Sequence, residues 1–148
     1  MNDSRRKALK TVAALAAAGV VPAAWTAEGN KAAFDVKTLP EALRALGAQL
    51  PASSEAIRIK APDIAENGAV VPVAIESELP GTQSIALLIE KNPQPLAASF
   101  DIPEGTEPSV STRVKMGESS RVYALVKADG KFHVANKEIK ITLGGCGG

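Results

Sequence analysis

Apolar and polar residues alternate along most of the chain beyond residue 56, and this period of two is typical of strands that bury one face. Turn-forming residues separate the alternating segments, and Asp129-Gly130 favours a two-residue hairpin. Pro72 indicates an edge strand or a bulge, because proline has no N–H to donate within a sheet. The predicted strands are Ile57–Ile59, Val71–Ile75, Ile85–Ile89, Ser99–Ile102, Val110–Met116, Val122–Val126 and Ile139–Leu143. The other predicted turns are Asn67-Gly68, Pro80-Gly81, Asn92–Pro95 and Pro103–Gly105.

A helical period replaces the alternation in the segment before residue 51. Thr38 and Glu41 have the spacing of a capping box, in which each residue satisfies a backbone N–H of the first turn. The pattern predicts a short amphipathic helix that follows Thr38, is weakened by Gly47 and ends before Pro51. Its apolar stripe consists of Leu39, Leu43, Leu46 and Leu50.

These elements together predict a mainly β fold, an antiparallel β-sandwich of immunoglobulin-like type with about seven or eight short strands and one N-terminal helix. Residues 28–37 show no clear period and are predicted to be a loose lead-in. Glu138–Leu143 is expected to be the final strand, so that the tail leaves the sandwich directly from a sheet. The core is expected to be aliphatic, because few aromatic residues follow residue 27. They are Phe34, Phe100, Tyr123 and Phe132.

The N-terminal segment has the features of an export signal. Arg5 and Arg6 form a twin-arginine pair, and an apolar, alanine-rich stretch over 11–21 follows it. That stretch is shorter than the about 20 residues that a membrane-spanning helix needs. Residues 1–27 are therefore predicted to be a twin-arginine signal, cleaved between Ala23 and Ala27 to leave a periplasmic protein. An ordinary secretory signal is the alternative.

The charge balance argues against two classes of partner. The chain has 17 Lys and Arg against 16 Asp and Glu, and residues 1–27 hold four of the basic and one of the acidic side chains, which leaves 13 against 15. A mildly acidic protein without clustered basic residues is not expected to bind nucleic acid or a membrane surface.

The only cysteine, Cys146, is flanked by glycines on both sides near the end of the sequence. Glycine has no side chain to pack and visits many backbone conformations, so this tail is predicted to be a flexible tether for the thiol. The five residues after Leu143 reach at most about 17 Å from the folded body. No cation is near Cys146 in sequence, so the thiol is expected to keep an ordinary pKa of about 8.5 and to depend on other sites for its chemistry. The tether residues are Gly144, Gly145, Gly147 and Gly148.

Several functions fit a single exposed thiol. The favoured interpretation is a covalent handle, and the main alternative is a non-carrier periplasmic subunit crosslinked to a partner through a Cys146 disulfide. A functionless disordered end is a third interpretation. The terminal Gly-Gly also resembles ubiquitin-like sulfur carriers, but those are cytoplasmic and load their carboxylate, which the predicted leader disfavours.

Other catalytic or metal-binding patterns are not found in the sequence. No phosphate loop, paired metal-ligand spacing or serine-nucleophile motif is present. His133, the only histidine, lies in an alternating segment and is predicted to be a surface strand residue. A soft copper site made of His133, Met116 and Cys146 is chemically conceivable, but the spacing of these residues gives it little support. We therefore predict no metal, no cofactor and no enzymatic activity of the chain itself.

The glycine-flanked Cys146 and the twin-arginine leader, together with three internal segments, resemble the SoxY family, the sulfur-carrier subunits of the periplasmic thiosulfate-oxidising system. The segments are Ala61–Val73, Glu90–Ala97 and Ser111–Met116. The similarity extends over essentially the whole mature chain. The leader departs from common twin-arginine signals in one respect, since Ala8 stands where phenylalanine is often found.

The resemblance implies that Cys146 is the covalent attachment site and that the four glycines are a swinging arm over 144–148, attached to a sandwich domain over 28–143. It also implies that a haem cytochrome joins thiosulfate to the thiol, a hydrolase releases sulfate, and a sulfane dehydrogenase oxidises the remaining persulfide. A SoxZ-type β-sandwich subunit is the expected heterodimer partner. All redox groups are expected on these partners, and Asn92–Pro95 and Asp63–Gly68 are candidate recognition segments that are better explained as rigid turns.

Overall fold

The computed structural model describes residues 27–142, which form two helices and nine strands. The predicted export signal up to residue 26, and Leu143 with the glycine tail and Cys146, lie outside this range. The helices are α1 (Ala27–Asp35) and α2 (Leu39–Ala45). The strands are β1 (Ala52–Ser53), β2 (Ile57–Lys60), β3 (Ile64–Ala65), β4 (Val71–Ser77), β5 (Thr82–Ile89), β6 (Leu96–Asp101), β7 (Ser109–Val114), β8 (Ser120–Ala128) and β9 (Lys131–Ile141).

The strands form two sheets. The larger sheet has the order β1-β9-β8-β5-β6, with β3 also paired to β9, and the smaller sheet has the order β2-β4-β7. The long strands pair antiparallel, whereas β1 and β3 pair in parallel with β9, at Ala52↔His133 and Ile64↔Lys140. The prediction of a mainly β, two-sheet sandwich is thereby confirmed. Its immunoglobulin-like type stays a prediction.

The main core lies between the two sheets and is aliphatic. Alternate residues of β4 and β5 are buried in one cluster, with Val73 and Ile75 from β4 and Leu87 from β5 almost inaccessible to solvent. Each such side chain contributes about 1.5–3 kcal/mol on burial. The predicted hairpin is also confirmed, because Asp129 and Gly130 both have positive φ, 48° and 75°, between β8 and β9.

A layer of helix covers the outer face of the larger sheet. Ala86 and Leu88 of β5 point away from the main core and form a second cluster with Ala33 of α1 and Ala42 of α2. As a result the run Ile85–Ile89 is buried on both sides. Within residues 27–142, neither helix is long and apolar enough to cross a membrane.

Two sequence predictions for the N-terminal region are wrong. The segment predicted as a loose lead-in contains α1, which is stabilised by packing of Ala33 and Phe34 rather than by an apolar stripe. Helix α2 ends at Ala45 and not near Leu50, because Gly47 adopts a left-handed φ of 81° that ends the helix. Leu50 is consequently 97% exposed.

The N-cap of α2 is confirmed, with one difference in detail. The Thr38 hydroxyl accepts the Glu41 N–H at 3.4 Å, and it donates to the Glu41 carboxylate at 2.9 Å, so that carboxylate bonds a side chain rather than the backbone.

Two strand predictions also need correction. The final described strand starts at Lys131 rather than Glu138, because β9 continues directly from the β8 hairpin and pairs with β8 as far as Ile139. Pro72 lies in β4, the central strand of the smaller sheet, and not in an edge strand. It is tolerated because β2 pairs with β4 only as far as Ala74, so the side of β4 facing β2 is locally unpaired at Pro72.

Candidate functional site

Cys146 lies outside the described residues, so the part of the site that the structure describes is the strand leading to it. Strand β9 ends at Ile141, and Thr142 is the last described residue. Ile139 is fully buried in the main core, and the half-buried Ile141 packs against that core. The strand that precedes the tail is therefore anchored through its side chains almost to its end.

The backbone of this segment is fixed on both sides. On one side the Lys140 N–H donates to the Asp63 carbonyl at 2.9 Å, and the Thr142 N–H donates to the Ala65 carbonyl at 3.2 Å. On the other side the Ile141 N–H donates to the Ser119 hydroxyl at 2.8 Å. Three consecutive N–H groups are thus satisfied, and the tail begins from an immobilised strand end.

Lys137 ties the segment before β3 to the same strand. Its ammonium donates to the Ala61 carbonyl at 2.6 Å and lies 3.1 Å from the Asp63 carboxylate. Since the Asp63 side chain is 89% exposed, the bond to the carbonyl is the stronger part of this contact. Neither Lys137 nor Ser119 was identified from the sequence. A lone lysine or serine in a strand region gives no pattern that separates it from an ordinary surface residue.

Three segments meet at the end of the sandwich where β9 ends: residues 63–70, which include β3, and the loops 90–95 and 115–119. We call them together the exit rim. The Asn92 side chain links two of them, donating to the Lys115 carbonyl at 2.7 Å and accepting the Gly117 N–H at 3.3 Å. The Met116 N–H donates to the Gly68 carbonyl at 2.7 Å, which joins the third. The exit rim is therefore a surface joined by hydrogen bonds around the end of β9.

All three segments that carry the SoxY resemblance contribute to this surface. They are Ala61–Val73, Glu90–Ala97 and Ser111–Met116, and the sequence alone offered no reason to place them together. The structural role proposed for their turns is supported by the bonds of Asn92 and by the Asn67 side chain, which accepts the Ala69 N–H at 3.0 Å. Their role in recognition stays a prediction.

Gly68 is required by close packing within the exit rim. A Cβ at this position would lie 2.5 Å from the Met116 carbonyl oxygen and 3.3 Å from the Ile141 side chain. We expect Gly68→Ala to lower the free energy of unfolding by about 1–3 kcal/mol, measured by urea denaturation. Gly117→Ala is the matched control, because the Cβ would enter open space and should change stability by less than about 0.5 kcal/mol. Equal stability of both variants would show that the exit rim is not packed as described.

The other candidate residues are not brought together. His133 lies in β9 near the β8 hairpin, which confirms its predicted place in a strand. Its side chain is half-buried. Met116 is fully buried next to Gly68 at the exit rim, the opposite end of the sandwich. Among the described residues, no group of three or more His, Cys, Asp or Glu side chains is placed to hold a metal ion.

The fold and the sequence define a class of protein: a small β-sandwich whose last described strand is held on both sides and is followed in the sequence by a glycine-flanked cysteine. Residues 43–146 match the family model described as "Sulfur oxidation protein SoxY". The sulfur carrier protein SoxY from Chlorobium limicola f thiosulfatophilum has a similar structure, with 40% sequence identity and a TM-score of 0.66 over 74% of this chain and 96% of that one. The chain belongs to the SoxY family of sulfur-oxidation proteins, as the sequence resemblance predicts.

Two more distant structures share the fold alone. The superoxide reductase (neelaredoxin) from Ignicoccus hospitalis and a variant form of the same protein each have 21% identity and a TM-score of 0.53. They cover 60% and 62% of this chain, and 81% and 83% of their own lengths. None of the curated proteins compared with the chain is a significant sequence match.

Proposed function

We propose that this protein carries sulfur covalently on Cys146 during thiosulfate oxidation and presents it to partner enzymes. The observation that supports this most directly is the position of the only cysteine, four residues beyond Thr142, whose own N–H is bonded to β3. A rigid, immunoglobulin-like sandwich would then position the swinging arm made of Gly144, Gly145, Gly147 and Gly148. Membership of the SoxY family supports the same role.

The proposed chemistry begins with oxidative coupling of the Cys146 thiolate to thiosulfate. An S–S bond forms between the cysteine and the terminal sulfur of thiosulfate, and the two electrons released pass to a haem cytochrome. The product is a cysteine S-thiosulfonate. Water then attacks the terminal sulfone, the outer S–S bond breaks, and sulfate leaves with two protons, so that a persulfide remains on Cys146.

The second half of the cycle regenerates the thiol. A sulfane dehydrogenase removes six electrons from the persulfide while three waters supply oxygen, which gives a cysteine S-sulfonate and releases six protons. A second hydrolysis releases the sulfonate as sulfate and restores Cys146. In this scheme the chain binds no cofactor and is not itself an enzyme. A SoxZ-type subunit completes the carrier heterodimer.

A periplasmic location is part of the proposal, because the partner reactions and the leader with Arg5 and Arg6 point to the same compartment. We expect the double substitution Arg5→Lys and Arg6→Lys to leave the precursor in the cytoplasm, since the twin-arginine pathway reads the arginine pair. The SoxZ-type subunit should stay with it if the two are exported as one folded complex. The measurement is immunoblotting of periplasmic and cytoplasmic fractions, with Lys7→Arg as the control. Normal export of both subunits from the double variant would disprove this route.

The proposed function is tested by adding thiosulfate and the haem cytochrome to the reduced carrier complex. The proposal predicts that cytochrome reduction stops after two electrons per Cys146, and that thiosulfate is then bound to the protein. If Cys146 instead serves only to crosslink subunits, thiosulfate should cause no reduction, and non-reducing gels should show the disulfide-linked pair. This outcome would support the alternative of a non-carrier subunit.

A further inference from the structure

The reach of the thiol limits where its reactions can take place. Cys146 lies four residues beyond Thr142, and four extended residues span at most about 14 Å. A pocket of about 330 Å³ exists on the larger sheet beside Lys127 and Phe132, but it lies nine residues along β9 from Ile141, about 30 Å away. The thiol therefore cannot reach this pocket of its own chain.

Any enzyme that acts on Cys146 must approach the exit rim closely for the same reason. The tether spans at most about 14 Å between Thr142 and the reacting centre of the enzyme. The deeper this centre lies below the enzyme surface, the smaller is the distance that can remain between that surface and Thr142. A centre at the bottom of a channel on the order of 10 Å deep leaves only a few ångströms of tether outside. The channel mouth and the exit rim then touch, and the side chains of the rim become part of the contact.

The exposed side chains of the exit rim suggest the character of that contact. Three large apolar side chains are strongly exposed among the described residues, and two of them, Ile64 at 57% and Val70 at 50%, belong to the rim. The tip of the 90–95 loop adds the exposed Pro93. Single exposed apolar residues are ordinary on protein surfaces, but Ile64 and Val70 belong to the segment that pairs with the end of β9.

The charged side chains of the exit rim nearly balance once the partner of Asp63 is included. Four exposed residues of the rim are acidic and two are basic, and the acidic Asp63 lies 3.1 Å from the ammonium of Lys137. Such a surface produces no strong field that would steer a charged partner. The exposed charged residues of the rim are Asp63, Glu66, Glu90, Lys91, Lys115 and Glu118.

We propose that the exit rim, through Ile64 and Val70, is the docking surface for an enzyme that acts on sulfur bound to Cys146 through a channel with an apolar, largely uncharged mouth. The proposal rests on the proposed carrier function. It assigns recognition to Ile64 in β3 and Val70 just before β4 rather than to surface charge, and it predicts that the reaction depends only weakly on salt concentration. The hydrogen bonds made by the Asn92 side chain and the Gly68 carbonyl keep this surface in one conformation before the enzyme binds.

The test uses the carrier complex loaded at Cys146 with tetrathionate, and the sulfate-releasing hydrolase as the probe. In this loading reaction the thiolate attacks a central sulfur of tetrathionate, thiosulfate leaves, and the S-thiosulfonate is formed without any enzyme. We expect the variant with Ile64→Ser and Val70→Ser to raise the KM of sulfate release about tenfold with little change in kcat. Loading by tetrathionate and alkylation by iodoacetamide should proceed as in the wild type, because neither needs a docking surface.

Leu50→Ser is the matched control, because Leu50 is the third strongly exposed apolar side chain and belongs to the segment before β1, which pairs with the opposite end of β9. Its KM should equal that of the wild type. An unchanged KM in the rim variant, or the same increase in the Leu50 variant, would overturn the docking proposal. Dissociation of the SoxZ-type subunit from the rim variant would also overturn it, since the rim would then be the subunit interface. If the loaded wild-type complex releases no sulfate at all, the carrier function itself fails, and this result is distinct from the others.

Discussion

Replacing Cys146 by serine is expected to abolish sulfur binding completely while leaving the fold unchanged. The hydroxyl of serine does not form a stable bond to sulfur under conditions in which a thiolate does, and the sequence offers no second cysteine to substitute for it. We expect no thiosulfate-dependent reduction of the cytochrome and no mass increase. The melting temperature should stay the same, because the core is built within residues 27–142.

The control for this variant is wild-type protein alkylated at Cys146, which should be equally inactive and equally stable. A Cys146→Ser protein that unfolds would show that the tail has a structural role, and one that still gains sulfur would place the attachment site elsewhere. Either result would be incompatible with a carrier thiol outside the folded body.

Replacing Ile139 by alanine is expected to cause a large loss of stability. Ile139 is fully buried in the main core, in the part of β9 that pairs with Ser120 at the start of β8. Removal of a buried isoleucine side chain lowers the free energy of unfolding by about 2–5 kcal/mol, from a total of about 5–15 kcal/mol for a domain. Thermal unfolding should show a decrease of the melting temperature on the order of 10 °C.

Lys140→Ala is the matched control for this prediction, because the neighbouring side chain is exposed and its backbone bond to Asp63 is kept. Its stability should change by less than about 0.5 kcal/mol. Below its melting temperature, the Ile139→Ala protein should load sulfur as the wild type does, since the substitution leaves the thiol and its tether unaltered. A small effect of Ile139→Ala would mean that β9 is not held by the core near the start of the tail.

The alternation of the sequence predicted the main strands because most of them bury one face. In β4, Val71, Val73 and Ile75 are buried, and the side chains between them are not. The turn at Asp129-Gly130 was equally predictable, since its positive φ angles restrict the residues that fit. These features depend on residues that are close together in the sequence, and they can therefore be predicted from one sequence.

The elements that were missed depend on contacts distant in sequence. Helix α1 has no strong apolar stripe and exists because Ala33 and Phe34 have a sheet to pack on. One signal could have revealed the helical layer: the five apolar residues of Ile85–Ile89 form an uninterrupted run, which is typical of a strand covered on both faces. Strands β1 and β3 have only two residues each and are too short to show a period from which their parallel pairing with β9 could be predicted.

The attachment site on Cys146 stays a prediction from the sequence, whereas the surface at the end of β9 could not be predicted. Cys146 is identified by its neighbours in sequence, because only glycines flank it. The exit rim is assembled from three segments joined by Asn92 and by the carbonyl of Gly68, across separations of 20 residues and more. No periodicity records such contacts, and the resemblance to SoxY indicated the segments without placing them together.

Mass spectrometry of the peptide containing Cys146, isolated from cells that are oxidising thiosulfate, tests the central claim most directly. The carrier function predicts additions of sulfur, thiosulfonate or sulfonate on Cys146 that are absent from cells grown without reduced sulfur. A cysteine found only as the free thiol or in a disulfide with a second chain under both conditions would contradict it.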